Sequence, residues 1–195
     1  MENQLAEFEG ALTGTEVKKL QNRLNEIHRL RLKTLSKLHE PSDEGISLFI
    51  SYSHKDANFR DALRTHLRAL ERQKLITTWY DRLITAGVEW QGQIDNNLEA
   101  SGVILLLISS DFIESEYCFD IELKRAMERH EAKEALVIPI LVRPVVWDDM
   151  PFAKLQALPR ERKPVSTWHD QDSAWVDVTQ GIKIAIKDFL AHKRA

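Results

Sequence analysis

Apolar and polar residues follow two alternating patterns from residue 46 to about residue 190. Short apolar runs rich in β-branched and aromatic residues predict strands, and apolar residues three or four positions apart predict amphipathic helices between them. Strands that alternate with helices are typical of a parallel sheet covered by helices on both faces, with right-handed crossovers. The sequence therefore predicts one α/β domain with a five-stranded parallel sheet. The predicted strands are 46–51, 76–80, 103–108, 136–142 and a short one at 165–168.

Two of the predicted strands carry signals about their place in the sheet. The run Val103–Ile108 is apolar throughout, as expected of a central strand that is buried on both faces. The fourth run contains Pro139, which has no backbone N–H to donate to a ladder and is expected at a strand edge or a bulge. We therefore expect the third strand in the middle of the sheet and Pro139 of the fourth at a strand edge or in a bulge.

The first 45 residues differ from the rest of the chain. Thr13 and Glu16 form a capping-box pattern that predicts a helix over roughly residues 15–38. An apolar stripe of Val17, Leu20, Leu24 and Ile27 breaks at Arg31 and Thr34 and resumes in another phase at Leu32, Leu35 and Leu38, and many of the other positions are Lys or Arg. Such a helix packs on the main domain or mediates self-association, and both alternatives stay open. The predicted division is 1–40 for the helix, 41–45 for a linker and 46–192 for the α/β domain.

Composition and charge exclude several classes of protein. A net charge of −3 gives no electrostatic footprint for nucleic acid. No apolar run reaches the roughly 18 residues of a membrane span, and the polar first residues do not resemble a signal peptide. The single cysteine, Cys118, excludes an internal disulfide and fits a reducing compartment, with a buried structural thiol as its expected role. We therefore expect a cytoplasmic protein with no nucleic-acid partner and no membrane partner.

In a parallel sheet of this kind the functional site lies beyond the carboxyl ends of the strands. The first predicted strand ends in Ser51, Tyr52, Ser53 and His54, which are followed by Lys55-Asp56 and the start of a helix. Hydroxyls, an imidazole and free helix N–H groups suit a phosphate-bearing ligand. The structural alternative is that the serines are turn residues and Asp56 is an N-cap. Neither the P-loop pattern nor the dinucleotide-binding glycine pattern is present, and the scattered histidines predict no metal site.

The segment after the second predicted strand, 81–90, is long for a connection between a strand and a helix. It contains the apolar residues Leu83 and Ile84 at a place where burial is not automatic. A contact with a partner or a lid over a ligand would explain them, and the alternative is that they fold back onto the domain edge.

Acidic residues crowd the segment after the third predicted strand. Acids near a helix N-terminus are favourable through the macrodipole, so most of them carry no functional signal. Glu122 differs because it lies deeper in the predicted helix, between the apolar residues Ile121 and Leu123. A carboxylate that is partly desolvated beside the strand ends has chemical use.

These segments together resemble the TIR (Toll/interleukin-1 receptor) domain family, particularly its bacterial members. The resemblance covers about residues 45–190, and four short motifs in the same order carry it. They are Phe49-Ile50-Ser51-Tyr52-Ser53-His54-Lys55-Asp56, Trp79-Tyr80-Asp81, Ile108-Ser109-Ser110-Asp111-Phe112, and Ser115-Glu116-Tyr117-Cys118 followed by Glu122-Leu123.

The resemblance implies a flavodoxin-like fold and one of two activities. Many bacterial and plant members cleave NAD+ at the nicotinamide–ribose bond, with NAD+ as substrate and no cofactor, whereas animal members mostly act as assembly scaffolds. Carried over to this chain, the essential glutamate is Glu122. An aromatic residue can stack on the nicotinamide ring, and Tyr117 is the candidate. The nucleotide-lining positions would be Ser51, Tyr52, Ser53, His54, Asp81 and Arg82. The assembly loop would be Leu83, Ile84, Thr85, Ala86, Gly87, Val88 and Glu89.

The chain departs from the family at one position. The family commonly has its glutamate four positions after the aromatic residue, whereas Glu122 comes five positions after Tyr117. One extra residue in a regular α-helix turns a side chain by about 100°. Either the local helix absorbs this residue or another acid takes the place of Glu122, and the alternatives are Glu114, Glu116 and Asp120.

Two hypotheses for function follow. The first is an NAD+ glycohydrolase that is activated by assembly, releases nicotinamide and ADP-ribose or a cyclic form, and serves bacterial defence against phage together with a partner protein. The second is a non-catalytic module that signals through contacts between TIR domains. The strand-end hydroxyls, His54 and Glu122 favour the enzyme, because a scaffold needs none of them.

Overall fold

The computed structural model describes residues 45–79, 96–115 and 117–194. The predicted N-terminal helix, the linker up to residue 44, Asp81, Arg82 and the loop 83–89 lie outside this part of the chain. The predictions that concern them stay predictions.

The described residues contain a four-stranded parallel sheet, in which the strands lie in the order second, first, third and fourth along the chain. The predicted α/β class and parallel sheet are confirmed, and each of these four strands lies where the apolar runs predicted it. The strands are β1 at Ile46–Ser51, β2 at Ile76–Trp79, β3 at Val103–Ile108 and β4 at Leu136–Leu141.

Strand β3 lies in the interior of the sheet, as its unbroken apolar run predicted. All six of its residues have no solvent exposure. It is hydrogen-bonded to β1 on one side and to β4 on the other. Because both edges and both faces of β3 are covered, polar side chains can lie only beyond its ends.

Helices cover both faces of the sheet and produce two hydrophobic cores. On one face, Leu48 and Ile50 of β1 pack with apolar residues of two long helices. On the other face, Phe49 packs with Ile104 and Leu106 and with the shorter helical segments. The elements are α1 at Ala57–Arg72, α2 at Ser110–Glu114, a π-helix at Tyr117–Leu123, α3 at Lys124–Glu131 and α4 at Gln171–Arg194, and residues 96–100 are also helical.

The prediction of a fifth strand at 165–168 is wrong. Val165–Thr167 is a short 3-10 helix, and it follows Pro164, which has no N–H to donate to a sheet. A different residue pairs with the outer edge of β4 instead. Leu158 accepts a hydrogen bond from Leu141 N and donates one to Pro139 O, at 2.8 and 2.9 Å. This pairing is a single β-bridge, because the next residue is again a proline.

The expectation for Pro139 is confirmed in the form of an edge strand, since β4 is the outermost strand of the described sheet on its side. Pro139 O accepts from Leu158 N, so the peptide groups of residue 139 face away from β3. In a strand the N–H and C=O of one residue point to the same side. The ladder between β3 and β4 therefore loses no hydrogen bond although Pro139 has no N–H.

The strand order reverses direction between β1 and β3, because the chain goes from β1 outward to β2 and then returns to the other side of β1. This is the order of flavodoxin-like folds, in which ligands bind in the crevice above the switch point. The residues that follow β1 and β3 border this crevice.

Truncation of one core isoleucine should reveal how much the central strand contributes to stability. Ile104→Ala removes a side chain with no solvent exposure and should lower the free energy of unfolding by about 2–5 kcal/mol. The same change at Ile184, which is 55% exposed on α4, should alter it by less than about 0.5 kcal/mol. Urea unfolding of both variants measures the difference, and equal losses would contradict the described core.

Candidate active site

The last residue of β1 and the π-helix meet at the switch point. Ser51 Oγ donates a buried hydrogen bond to Glu122 Oε2. Ser51 is 1% exposed and Glu122 is 4% exposed, so both groups are almost completely removed from water. The structure thus brings together two residues that the sequence analysis assigned to the same site.

The π-helix accommodates the extra residue between Tyr117 and Glu122. In a π-helix the backbone hydrogen bond runs from residue i to residue i+5, rather than to i+4 as in an α-helix. Positions 117 and 122 are therefore one turn apart, as positions four residues apart are in an α-helix. A helix that begins at Tyr117 and is wider than an α-helix absorbs the insertion. The side chain of Tyr117 lies outside the described part, so its stacking role stays a prediction.

The other acids considered for the role of Glu122 have different surroundings. Glu114 has a side chain that is 74% exposed and is 3.3 Å from Lys55 Nζ. Asp120 is exposed on the π-helix. Glu116 lies outside the described residues. Among the described acids of this segment, Glu122 alone is buried at the strand ends.

Cys118 lies beside this pair on the π-helix. Its thiol donates to Tyr52 O at 3.4 Å, and the residue is 7% exposed. Burial raises the pKa of the Cys118 thiol to about 11, and the nearby Glu122 adds to the effect. The expectation of a buried structural thiol is confirmed.

The side chains of residues 52–54, which follow β1, have different surroundings. The Tyr52 ring packs partly buried against the core formed with α1 and α4, which is the face of the sheet opposite to Phe49. Ser53 is buried, and its side chain does not cap the short 3-10 helix His54–Asp56. His54 is exposed, and its ring stands nearly perpendicular to the Tyr52 ring, with centroids 6.0 Å apart. The main chain of Tyr52 borders the Glu122 segment, whereas its side chain points to the other core.

Asp56 has a different role from the capping role considered in the sequence analysis. It occupies the cap position before α1, but its side chain makes no capping hydrogen bond. Asp56 is completely buried, accepts from Ser109 Oγ at 2.5 Å and pairs with Arg143 Nε at 2.8 Å. Ser109 Oγ also accepts from Phe112 N at 3.0 Å and caps α2. Asp56 thus joins the loops after β1, β3 and β4.

An ion-pair network extends from this group to the surface. Arg143 also donates to Asp111 Oδ2, and Asp111 Oδ1 lies 2.6 Å from Lys55 Nζ. These cations hold the pKa of Asp111 below its usual value, with the Lys55 hydrogen bond as the largest cause. Asp56 and Asp111 together raise the pKa of Arg143. The cations of Arg143 and Lys55 are therefore paired with carboxylates. Asp56, Ser109, Arg143, Asp111 and Lys55 link the loops after β1, β3 and β4, and we call this network the brace.

Two residues of this region were missed by the sequence analysis, Arg143 and Arg60. Arg60 is 1% exposed on α1, and its guanidinium contacts Tyr52. Arginine is mostly exposed in proteins, so a prediction of buried residues from apolar periodicity leaves Arg60 out. The available signal was position, because Arg60 stands one residue after Phe59 and three before Leu63 on the apolar stripe of α1.

Comparison with known proteins places the chain in a family. The family model described as "TIR domain" matches residues 48–184. The chain belongs to the TIR domain family. The matched range includes β2, β3, β4 and β1 from Leu48. It also includes Ser51 and Glu122, so the candidate site lies inside the TIR domain.

Two known proteins are similar to this TIR domain. An uncharacterized protein, y4lF, from Sinorhizobium fredii is 48% identical over 139 residues, which are 71% of this chain and 43% of that protein. The chain therefore spans less than half the length of this relative. The crystal structure of the TIR domain of the Toll-related receptor TRR-2 from Hydra magnipapillata is 23% identical and covers 70% of this chain and 97% of its own, with a TM-score of 0.49.

The described part of the TIR domain contains neither a cluster of metal-binding side chains nor a helix that could span a membrane. No three or more His, Cys, Asp and Glu side chains there are placed to hold a metal ion. No helix of residues 45–79, 96–115 and 117–194 is long and apolar enough to cross a membrane.

Removal of the cation at the centre of the brace should destabilise the TIR domain. Arg143→Gln leaves the buried Asp56 carboxylate without its charged partner, and we expect a loss of about 1–3 kcal/mol in the free energy of unfolding. Arg68→Gln is the control, because Arg68 pairs with Glu71 at the surface and should matter by about 0.5 kcal/mol or less. Chemical unfolding of both variants at pH 7 tests this, and an unchanged stability of Arg143→Gln would refute the brace.

The raised pKa of Cys118 should make its thiol slow to react. A shift from 9.0 to about 11 lowers the thiolate fraction at pH 8 by about 100-fold, and burial slows reaction further. Iodoacetamide should therefore label the native protein at least about 100-fold more slowly than the urea-unfolded protein. The chain has one cysteine, so mass spectrometry gives an unambiguous count, and rapid labelling of the native protein would contradict the burial of Cys118.

Proposed function

We propose that this TIR domain is an NAD+ glycohydrolase that cleaves the nicotinamide–ribose bond, with Glu122 as the catalytic carboxylate. The observation that carries the proposal is the buried hydrogen bond between Ser51 and Glu122 at the switch point of the sheet. A charged carboxylate is costly to bury, so a buried and hydrogen-bonded carboxylate at the switch point of the sheet is a candidate for function.

The chemistry suits a single carboxylate. When the C1′–N bond breaks, its electron pair stays on the nitrogen and nicotinamide leaves as a neutral molecule, so no general acid is required. The ribose carbon becomes oxocarbenium-like, as in glycoside cleavage. Water then adds to C1′ and loses a proton, which gives ADP-ribose, whereas attack by a group of the same molecule gives a cyclic product.

Glu122 would act by orientation and by charge. A carboxylate has about four acceptor positions on its two oxygens, and the Ser51 hydroxyl occupies one of them. Ribose hydroxyls are donors that can take others, which fixes the sugar close to a negative charge. In a buried site this charge stabilises the developing positive ribose more strongly than it would in water. Ser51 holds the carboxylate in one orientation before the substrate binds.

The remaining predicted residues complete the proposed site. The NAD+ nucleotide lies along the wall formed by Ser51, the main chain of Tyr52, Ser53 and His54, with Asp81 and Arg82 from the loop after β2. Tyr117 stacks on the nicotinamide ring. No cofactor takes part, and NAD+ is the substrate.

We further propose that self-association controls the activity through the loop 83–89. Glu122 is 4% exposed in the single chain, so a substrate cannot reach its carboxylate freely. Packing of the loop 83–89 against a neighbouring TIR domain completes the pocket and admits NAD+. An enzyme that consumes NAD+ only after assembly suits a cytoplasmic bacterial defence against phage, triggered by a partner protein.

Substitution of Glu122 should abolish the activity without unfolding the protein. Glu122→Gln keeps the shape and an acceptor for Ser51 but removes the charge, so nicotinamide release should fall by about 100- to 1,000-fold. Asp120→Asn is the matched control, since Asp120 is exposed on the same π-helix and should leave the rate nearly unchanged. Release of nicotinamide is followed by chromatography, and circular dichroism verifies folding.

Three results would count against parts of the proposal. No nicotinamide release from the wild type at high concentration or under crowding would reject the enzyme and leave the non-catalytic assembly module. Equal rates in wild type and Glu122→Gln would reject the assigned carboxylate. A large loss in Asp120→Asn with an active Glu122→Gln would move the assignment to Asp120.

A further inference from the structure

Arg60 is buried at a position that disfavours a cation. It lies in the first turn of α1, near the positive end of the helix macrodipole, and it is 1% exposed. It is among the largest fully buried side chains of the described residues, on the same helix face as Leu63 and Leu67. An apolar side chain would fill this space without loss of hydration, so the contacts of the guanidinium have to offset the cost of its burial.

The guanidinium of Arg60 is fitted to Tyr52 in two ways. Nη1 donates to the Tyr52 hydroxyl at 2.5 Å. The Cζ atom lies 4.6 Å from the centroid of the Tyr52 ring, which is within cation–π distance. The Nε atom lies 2.8 Å from Asp61 Oδ1 at the surface end. One side chain thus contacts both the hydroxyl and the ring of Tyr52, and we call this pair of residues the Arg60–Tyr52 clamp.

Tyr52 connects this clamp to the proposed site. It follows Ser51, the hydrogen-bond donor to Glu122. Its carbonyl oxygen accepts from the Cys118 thiol on the π-helix that carries Glu122. Its ring meets the ring of His54 edge to face. A shift of the main chain at Tyr52 would therefore disturb its contact with Cys118 and the neighbouring Ser51, and a rotation of its ring would disturb the contact with His54.

We propose that Arg60 is a positioning residue of the NAD+ site, which acts through Tyr52 and does not touch the substrate. The Arg60–Tyr52 clamp holds the turn at residues 52–54 in the orientation that aligns His54 and the neighbouring Ser51–Glu122 pair. This inference rests on the proposed function for its catalytic consequence, but its structural part is independent of that function.

The planar shape of arginine is essential to the clamp. A guanidinium can donate at its edge and present its face to an aromatic ring, whereas the ammonium of lysine is a compact point charge. Arg60→Lys should therefore lose the clamp although it keeps the positive charge. Arg60→Met keeps the apolar stem and removes the guanidinium, so it tests the clamp without emptying the core.

Amide hydrogen exchange tests the structural part. In Arg60→Met, exchange should accelerate by about tenfold or more in peptides covering residues 51–57 and stay unchanged in β4. Arg68→Met is the matched control on the same helix, because the Arg68 side chain is 67% exposed, and no peptide should change. Uniform acceleration over the whole domain would show a merely structural arginine, and no change at residues 51–57 would also overturn the proposal.

Steady-state kinetics with NAD+ test the catalytic part. Misalignment of a bound substrate acts on the chemical step, so kcat should fall by about 10- to 100-fold in Arg60→Met while KM changes little. Tyr52→Phe removes only the hydroxyl contact and should cause a smaller loss. The double variant should be no slower than Arg60→Met alone, because both changes act through one contact.

The two proposals fail in different ways. An inactive wild type rejects the NAD+ glycohydrolase, and the exchange experiment still decides whether Arg60 holds the turn. An active wild type with independent, multiplicative losses in Arg60→Met and Tyr52→Phe overturns the clamp and leaves the enzyme in place. A fall in activity that matches a fall in the folded fraction also overturns the clamp.

Discussion

The reversal of strand order between β1 and β3 determines where polar chemistry can occur in this TIR domain. Both faces of the sheet are packed with apolar side chains, and β3 is closed on all sides. Polar groups cannot be satisfied inside such a sheet, so they collect where the crevice opens at the switch point. Ser51, Asp56 and Glu122 are all buried in this region, and each has a polar partner.

Burial gives these polar contacts their influence on one another. In surroundings of low polarity, a hydrogen bond or ion pair is stronger than in water, and an unpaired group is more costly. The brace of Asp56, Ser109 and Arg143 therefore holds the loops after three strands in fixed relation. The Arg60–Tyr52 clamp holds the first of these loops from the opposite core. Supports of this kind near the proposed carboxylate would favour the preorganisation that the proposed reaction needs.

The strands and long helices could be predicted because apolar periodicity records burial directly. The unbroken run at β3 and the proline in β4 indicated their places in the sheet, and both inferences held. The prediction of a fifth strand was wrong because Val165–Thr167 has the apolar and β-branched residues of a strand but forms a 3-10 turn. The N–H groups of Thr167 and Trp168 bond locally to the carbonyl oxygens of Pro164 and Val165. The residue that pairs with the outer edge of β4 instead is Leu158, and a single β-bridge leaves no periodic signal in the sequence. Asp56 was read as a possible cap because its true partners come from distant segments.

The sequence by itself determined the fold class, the α/β order and the residue types gathered at the strand ends, because these depend on local periodicity and short motifs. Only the tertiary structure decided which of those residues meet. Ser51 and Glu122 form a pair because parallel β1 and β3 end at the same edge. Tyr52 turns away to Arg60 because successive side chains of an extended chain alternate between faces. The π-helix at Tyr117–Leu123 absorbs the extra residue, since helix width follows from packing and cannot be read from residue spacing alone.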